Sequence, residues 1–418
     1  MTKERIITGI DVGSTKIATT IAVVSDKKVS VIGVSGNVES KGIKKGNVVK
    51  IDGAVEAISS SLERAERMAG VSVSSAFVTV NGSHIETRNS HGVVAVSPHL
   101  SSEISAEDVA RVTEAAQAIS LPSTREIIHV IPRDFVVDSQ DGIKDPIGMT
   151  GNRLEVETNI IHGSSTAIIN LTKCIEQVGV SVEDMIFSGI ASAEAVLTDT
   201  EKELGTLLID IGGGATSIIA YVEGAPIHSA VLPIGAKYIT NDLAVGLRIR
   251  MEDAENIKLK LSNDYALLSK TKQDDREEEF DVSELSIESE KIPKKVLYRI
   301  IDARLEEILS LISLEMAKVK LRGQLPAGVV VTGGGAMTAG VERVVQNILK
   351  TPVRIGRPTG VTGLIDEIQG PQSSSTVGAV LYGAELYRTG SLLSFEKSRG
   401  NISSKFSTLF SKLKNFLP

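Results

Sequence analysis

The sequence predicts an α/β protein with two similar lobes, because one local device is written in it twice, roughly 200 residues apart. Residues 7–18 read ITGIDVGSTKIA and residues 207–217 read LLIDIGGGATS. Each is an apolar run, an Asp, a glycine-rich turn and a Ser or Thr. A third stretch, VVVTGGGAM at 329–337, is an apolar strand running into a glycine turn, with a helix expected over 340–349. A chain of 418 residues has room for two such lobes and a sizeable core.

The first elements follow from residue type. Residues 6–10 and 206–211 are β-branched or apolar, the mark of buried strands, and Asp11 and Asp210 stand where those strands stop. Gly13 and Gly212, Gly213 and Gly214 allow a sharp reversal and a close approach of backbone to a ligand. Successive N–H groups in such a turn, with Ala215 closing the second, form a nest for an anion. Ser14, Thr15 and Thr216 add hydroxyl donors, and Lys16 a point charge suited to phosphate. Two carboxylates facing a polyphosphate need a cation between them, and Mg²⁺ held through water meets that need. After each turn a strand resumes, over 16–24 and 217–222, with the next turns at 26–27 and 223–224. Either turn alone reads equally well as a plain hairpin; the repetition argues for a phosphate clamp. A dinucleotide loop would need G-x-G-x-x-G leading into a helix, and neither turn has it.

Composition narrows the class. Hydrophobic residues make up 42% and charged residues 23%, and the formal charge of −7 argues against a general nucleic-acid binder. The single cysteine permits no intrachain disulfide, and the six scattered histidines show no zinc spacing. No cleavable leader and no membrane-spanning run are visible, so a cytoplasmic protein is expected.

The order Asp–Gly loop, Asp–Gly loop, strand–GGG–helix resembles the actin, heat-shock-chaperone and sugar-kinase ATPase superfamily. The resemblance implies an actin-like two-lobed ATPase fold in which both loops clamp one ATP with Mg²⁺, Asp11 and Asp210 serving the metal through water and any hydrolysis. Gly334, Gly335, Ala336 and Met337 would cover the adenine. Residues 188–196 (SGIASAEAV) and 375–386 (STVGAVLYGAEL) are small-residue segments suited to the superfamily's crossed hinge helices. Residues 245–262 resemble its purine-side turn and helix, making Gly235, Glu252, Glu255 and Lys258 nucleotide contacts; a solvated helix with Glu/Lys pairs is the competing reading. Aligned with the chaperones, the hinge helix carries Ala191 where they have a carboxylate, with Glu194 three residues on. At most slow ATPase activity is therefore expected.

Residues 84–162 hold a capped amphipathic helix (SPHLSSEISAEDVARVTEAAQAI) and then a strand-rich run broken by Pro and Gly. This looks like the extra subdomain of the bacterial cell-division FtsA family. IPRDFVVDSQDGIKDPIGMTG, KGIKKGNVVKID and LLIDIGGGATSIIAYVEGAPIHSAVLPIGAKYIT are similar to that family too. The resulting division places 1–83, 163–191 and 371–390 in the first-half core and 84–162 in the insertion. Residues 192–245 and 305–370 form the second-half core, and 246–304 a small second-half subdomain. A flexible linker (391–404) and an amphipathic helix (405–418) follow.

That last segment is foreign to the acidic body. Phe406, Leu409, Phe410, Leu413, Phe416 and Leu417 repeat at helical intervals, and Lys405, Lys412 and Lys414 fill the other face. A docked core helix is the ordinary reading of such a stripe; the polar linker and basic face favour a helix lying in an anionic membrane surface. At about 1.5 Å per residue it would be roughly 20 Å long, too short to span a bilayer. The resemblance implies protofilaments of the protein itself and tethering of the tubulin-like ring protein FtsZ to the membrane. It places the FtsZ C-terminal peptide on the small second-half subdomain, where Lys294, Lys295, Arg299 and Arg304 would meet its acidic residues, and later division proteins are expected as further partners. A sugar or metabolite kinase and an actin-like pilus-assembly adaptor share the cleft and remain the alternatives.

Overall fold

The computed structural model describes residues 4–25, 28–36, 38–96, 103–268, 278–283, 291–319 and 323–389. The expected linker 391–404, the amphipathic segment 405–418 and most of the charged stretch 274–279 lie outside the described residues.

The chain opens with an antiparallel meander of β1 (Arg5–Val12), β2 (Lys16–Val24) and β3 (Val29–Val34). Short strands β4 (Val38–Glu39), β5 (Ile43–Lys44) and β6 (Asn47–Val48) make an arm beside it. Helix α1 (Ile51–Ala69) buries the face carrying Ala54, Ala57, Ile58, Leu62 and Ala65, and stops at Gly70, whose left-handed φ of 69° closes its end. β7 (Ser75–Val80) then runs parallel to β1.

The insertion follows as β8 (Glu86–Ala95), α2 (Ala106–Gln117), β9 (Arg125–Val137), β10 (Gln140–Ile143) and β11 (Arg153–Ser164). Its four strands pair in the order β10-β9-β11-β8. α2 starts in a capping box between Ser105 and Asp108 and seals a small core of its own around Val112, Phe135, Leu154 and Val156.

The chain returns through α3 (Ser165–Gln177) and β12 (Ser181–Phe187) to α4 (Ser188–Val196) and α5 (Asp199–Leu204). The second meander is β13 (Thr206–Ile211), β14 (Thr216–Val222) and β15 (Ala225–Leu232). Next come α6 (Lys237–Leu247), α7 (Met251–Leu268), the ribbon β16 (Glu279–Asp281) and β17 (Lys291–Pro293), and the long α8 (Lys294–Lys318). β18 (Val329–Thr332) leads into a 3₁₀ turn at Gly334–Met337, then α9 (Val341–Leu349), β19 (Val353–Ile355), β20 (Thr362–Gly363), α10 (Ile365–Ile368) and α11 (Ser374–Thr389). The helix expected over 340–349 is α9, with Gly340 just before it in the left-handed region.

The two main sheets have one strand plan. The first runs β3-β2-β1-β7-β12 and the second β15-β14-β13-β18-β19, each an antiparallel meander continued by two parallel strands. The repeated sequence device is thus a repeated fold, its two Asp–Gly turns joining β1 to β2 and β13 to β14. The first core centres on fully buried residues such as Ile10, Ile17, Phe77 and Phe187, the second on Leu207, Ile209, Leu305 and Val331. Between the halves α4 crosses α11 so closely that a methyl group on Gly378 would lie 1.6 Å from the Ala191 carbonyl oxygen. Among the described residues no helix is long and apolar enough to cross a membrane.

Candidate functional site

The two turns meet face to face. In each, the first glycine closes the hairpin: Gly13 N–H donates to Lys16 O at 3.1 Å and Gly212 N–H to Ala215 O at 3.0 Å. A methyl group on Gly213 would lie 2.2 Å from Thr15 Cγ2, and one on Gly214 2.6 Å from Ser14 Cβ. Glycine is what lets the loops approach so closely. The Gly212 and Gly213 carbonyls accept from Ala236 N–H and Lys237 N–H, each at 2.9 Å, which turns the loop's own N–H groups away from its support. Ser14 Oγ accepts from Gly46 N–H at 2.8 Å, bringing the arm over the first loop.

Charge concentrates between the loops. Asp11 Oδ1 accepts from Thr79 Oγ1 at 2.5 Å. Burial holds its carboxyl above the ordinary carboxylate range, against the pull of Thr79 and Lys16. Asp210 is pushed up to about 6, chiefly by burial, with the Asp11 charge adding and the Ser192 and Ser375 hydroxyls and Lys16 opposing. Ser192 Oγ donates to Asp210 Oδ2 at 2.6 Å and Ser375 Oγ at 3.3 Å. Burial lowers the Lys16 ammonium from its usual value while both aspartates resist, and its Nζ donates to Gln372 O at 2.5 Å. Two carboxylates facing one another favour a cation between them.

The loops floor a cleft of about 650 Å³. Asp11, Gly13, Ser14, Thr15, Lys16, Asp210, Gly212, Gly213, Gly214 and Ala215 all line it, as do Gly334, Gly335 and Met337. From α7, Glu252, Glu255 and Lys258 form its far wall, so that helix turns its Glu/Lys pair inward rather than to solvent. Lys258 is 8% exposed, its Nζ donating to Glu255 Oε2 at 2.7 Å and Thr240 Oγ1 at 3.0 Å.

Three expected contacts sit behind the wall. Thr216 is fully buried and spends its hydroxyl on Ile234 O at 2.8 Å. The hairpin registers give the reason: Val12 pairs with Ile17 and Ile211 with Thr216, so Thr216 is the counterpart of Ile17, a core position. Gly235 packs beneath the second loop, where a methyl group would lie 2.4 Å from Gly212 O. Ala336 is 4% exposed, inside the 3₁₀ turn. On α4 the residue that reaches Asp210 is the buried Ser192 rather than Ala191, which the crossing with Gly378 occupies. Glu194 points to Lys202, with which it pairs at 2.8 Å. Thr79, Asn81, Ser192, Gln372 and Ser375 join the site without having been read from the sequence; no local motif marks them.

The four basic residues of the second half divide. Lys294 is 7% exposed and pairs with Glu278 at 2.9 Å. Arg304 holds Asp242 at 2.6 Å and also pairs with Glu307. Lys295 and Arg299 are exposed. Arg299 lines a shallow groove with Val245, Gly246, Val296 and Ile300, in which Val245 is 79% and Val296 41% exposed.

Comparison with known proteins agrees with this architecture. The family model described as "SHS2 domain inserted in FTSA" matches residues 82–162, and that described as "Cell division protein FtsA" matches 207–378. The cell division protein FtsA of Pseudomonas aeruginosa is 35% identical over 94% of this chain and 93% of its own. That of Borreliella burgdorferi is 37% identical over 97% and 98%, and that of Bacillus subtilis 37% identical over 91% and 84%. Among solved structures, one titled as a PilM–PilN type IV pilus biogenesis complex covers 90% of this chain and 98% of its own at TM-score 0.65 and 15% identity. MreB5 of Spiroplasma citri bound to ADP covers 94% and 98% at TM-score 0.51 and 12% identity. These distant likenesses show an actin-like fold, while the sequence relatives decide between its branches: the chain belongs to the cell division protein FtsA family.

Proposed function

We propose that this actin-like cell-division protein binds ATP with Mg²⁺ between its two Asp–Gly loops, assembles into filaments, and tethers FtsZ to the inner face of the cell membrane. The observation that carries the nucleotide reading is the meeting of two equivalent loops, glycine against hydroxyl, over a pair of aspartates, Asp210 buried and Asp11 half-buried. The donor set fits the group. Two carboxylates would hold Mg²⁺ through its waters, Lys16 and the loop N–H groups would take phosphate oxygens, and Gly334, Gly335 and Met337 line the same cleft as Glu252, Glu255 and Lys258, where the nucleoside would lie. The MreB5 structures, solved with ADP and with AMPPNP, give the same fold a nucleotide-bound precedent.

Hydrolysis should be slow. A water-activating carboxylate is worth roughly 10²–10⁴ in rate. Here α4 offers Ser192, whose hydroxyl is held by Asp210, and Glu194 is engaged by Lys202. A phosphate-release assay above about 1 s⁻¹ would overturn this.

For FtsZ, the groove beside Arg299 pairs exposed apolar residues with a cation, which suits a peptide carrying both apolar and acidic side chains. Arg299→Glu should weaken binding of the FtsZ C-terminal peptide while leaving ATP affinity unchanged; an unaltered peptide affinity would remove the groove from the reading. For the membrane, residues 405–418 would bind reversibly alone and tightly when arrayed along a filament, through effective concentration. Co-sedimentation with anionic liposomes in ATP and Mg²⁺ tests this: the full chain should pellet, more steeply as its concentration rises, and a chain ending at Gly390 should stay in solution.

A further inference from the structure

Strand β7 ends at Val80, and Asn81 is the first residue beyond it. In the register of β1 and β7 Asp11 faces Thr79. Side chains two apart on a strand share a face, so Asn81 extends one step past the Thr79–Asp11 bond and lines the cleft. Across the cleft Ser217 is the register partner of Asp210, and its Oγ donates to Asn81 Oδ1 at 3.1 Å. Asn81 is therefore one step removed from each of the paired aspartates.

Its amide has a fixed sense. Gly82 N–H donates to the same atom at 2.8 Å, and an N–H has no lone pair to offer, so that atom is the oxygen. Both acceptor positions of the carbonyl are filled, and the NH₂ end has no partner among the described residues.

The duplication says which end of a ligand this donor meets. With one strand plan in both sheets, β7 corresponds to β18. Thr79, facing Asp11, then corresponds to Thr332, facing Asp210. Two residues on, Asn81 corresponds to Gly334. Halves related in this way present the two positions from opposite sides of the cleft. Gly334 belongs to the wall assigned to the purine; Asn81 faces the other terminus.

We propose that Asn81 donates a hydrogen bond to the terminal phosphate of a bound nucleoside triphosphate and so makes the cleft prefer triphosphate to diphosphate. This rests on the nucleotide reading above. Ser217 is the positioning residue: it fixes the amide and touches no ligand. Because Asn81 is the residue from which the chain leaves for the insertion, the presence of a third phosphate is registered at the insertion's root.

Titration calorimetry of the full chain with ATP, AMPPNP and ADP, each with Mg²⁺, tests the assignment. Asn81→Ala should weaken ATP and AMPPNP at least about tenfold, the loss of one hydrogen bond to a charged group, and ADP less than about twofold. Asn81→Asp, isosteric and so the guard against misfolding, should weaken the triphosphates further by setting a carboxylate against them. Ser217→Ala should lose part of the preference without changing ADP affinity. Equal losses for triphosphate and diphosphate, or none for either, overturn the role of Asn81. If the parent chain binds no nucleotide at all, the reading of the cleft falls and this assignment with it; if the parent binds all three and the variants lose them alike, only the assignment falls.

Discussion

Replacing Gly378 by alanine should damage the molecule at its hinge. The added methyl group would stand 1.6 Å from Ala191 O and 2.3 Å from Ala191 C. Side-chain carbons essentially never come within 3.0 Å of another heavy atom, so α4 and α11 would have to part by about 1.4 Å or more. α11 has little room to move. On its other side α11 lies against β1, where a methyl on Gly9 would meet Thr376 O at 2.7 Å, and Gly383 rests on the Phe77 ring at 2.5 Å by the same measure. Overpacking of a close-packed core costs about 1–3 kcal/mol, and a rigid carbonyl as the obstacle puts this case at the upper end. At about 2.1 cal/mol/K of unfolding entropy per residue, a chain of 418 residues unfolding as one unit would lose roughly 3 °C in Tm. It should bring a loss of nucleotide affinity, because Ser192 on α4 and Ser375 on α11 both hold Asp210 and would separate with the helices. Thermal melting by circular dichroism reads the first effect and calorimetry the second. Gly334→Ala, with Gln372 Cβ at 3.9 Å as its nearest neighbour, serves as the tolerated control for the melt alone, since Gly334 lines the cleft. A Gly378→Ala protein melting within about 1 °C of the parent would refute the argument, since it would mean that the crossing is not tight.

Other expectations follow from the same geometry. Gly214→Ala should leave each lobe folded but hold the loops apart, because the methyl meets Ser14 from the opposite lobe; nucleotide affinity should fall while Tm changes little. Asp210→Asn removes a buried charge facing Asp11, so the nucleotide-free protein should gain on the order of 1–3 kcal/mol in stability at pH 7 and lose Mg²⁺-dependent binding, read by denaturant melts and calorimetry. His129 is fully buried, accepts Phe187 N–H at Nε2 from 2.9 Å, and is lowered by burial to about 4. Between pH 6.5 and 4 the unfolded chain therefore binds a proton that the folded one refuses. His129 should contribute a fall of about 2 kcal/mol in stability from pH 7 to pH 5, against the opposite contribution of Asp210, and His129→Gln should remove its share of the slope in urea melts; an unchanged slope would remove His129 from the account.

What the sequence disclosed and what it withheld divide along one physical line. Strand, turn and glycine are local properties, so both loops and their paired strands were legible from the local residue pattern, and the crossing of the two small-residue helices from that pattern together with the superfamily resemblance. The same locality explains the error at Thr216. Counted from its aspartate, Thr216 stands where Ile17 stands in the first unit, and the loop positions of Ser14 and Thr15 are taken by Gly213 and Gly214. Matching by residue type hid this; counting from the aspartate would have exposed it, and with it the complementarity of hydroxyls on one loop to glycines on the other.

The residues that were missed have no local signature to find. Asn81 reads in sequence as a turn after a strand, and its role depends on Ser217, 136 positions away. Ser375 reaches Asp210 across 165 positions. Charge misled in the same manner at the second-half surface, because Lys294 and Arg304 look like free cations in sequence yet are held by Glu278, Asp242 and Glu307. An intrachain partner satisfies a cation before any ligand arrives, and freeing it costs about what the new pair returns. On the proposed reading, that difference would put the recognition of an acidic peptide on the groove-lining Arg299 rather than on Lys294 or Arg304. Arg299→Ala should therefore weaken FtsZ-peptide binding more than Lys294→Ala does at matched ionic strength. The reverse order, with the Lys294→Ala protein still folded, would show that the ion pair with Glu278 opens on binding.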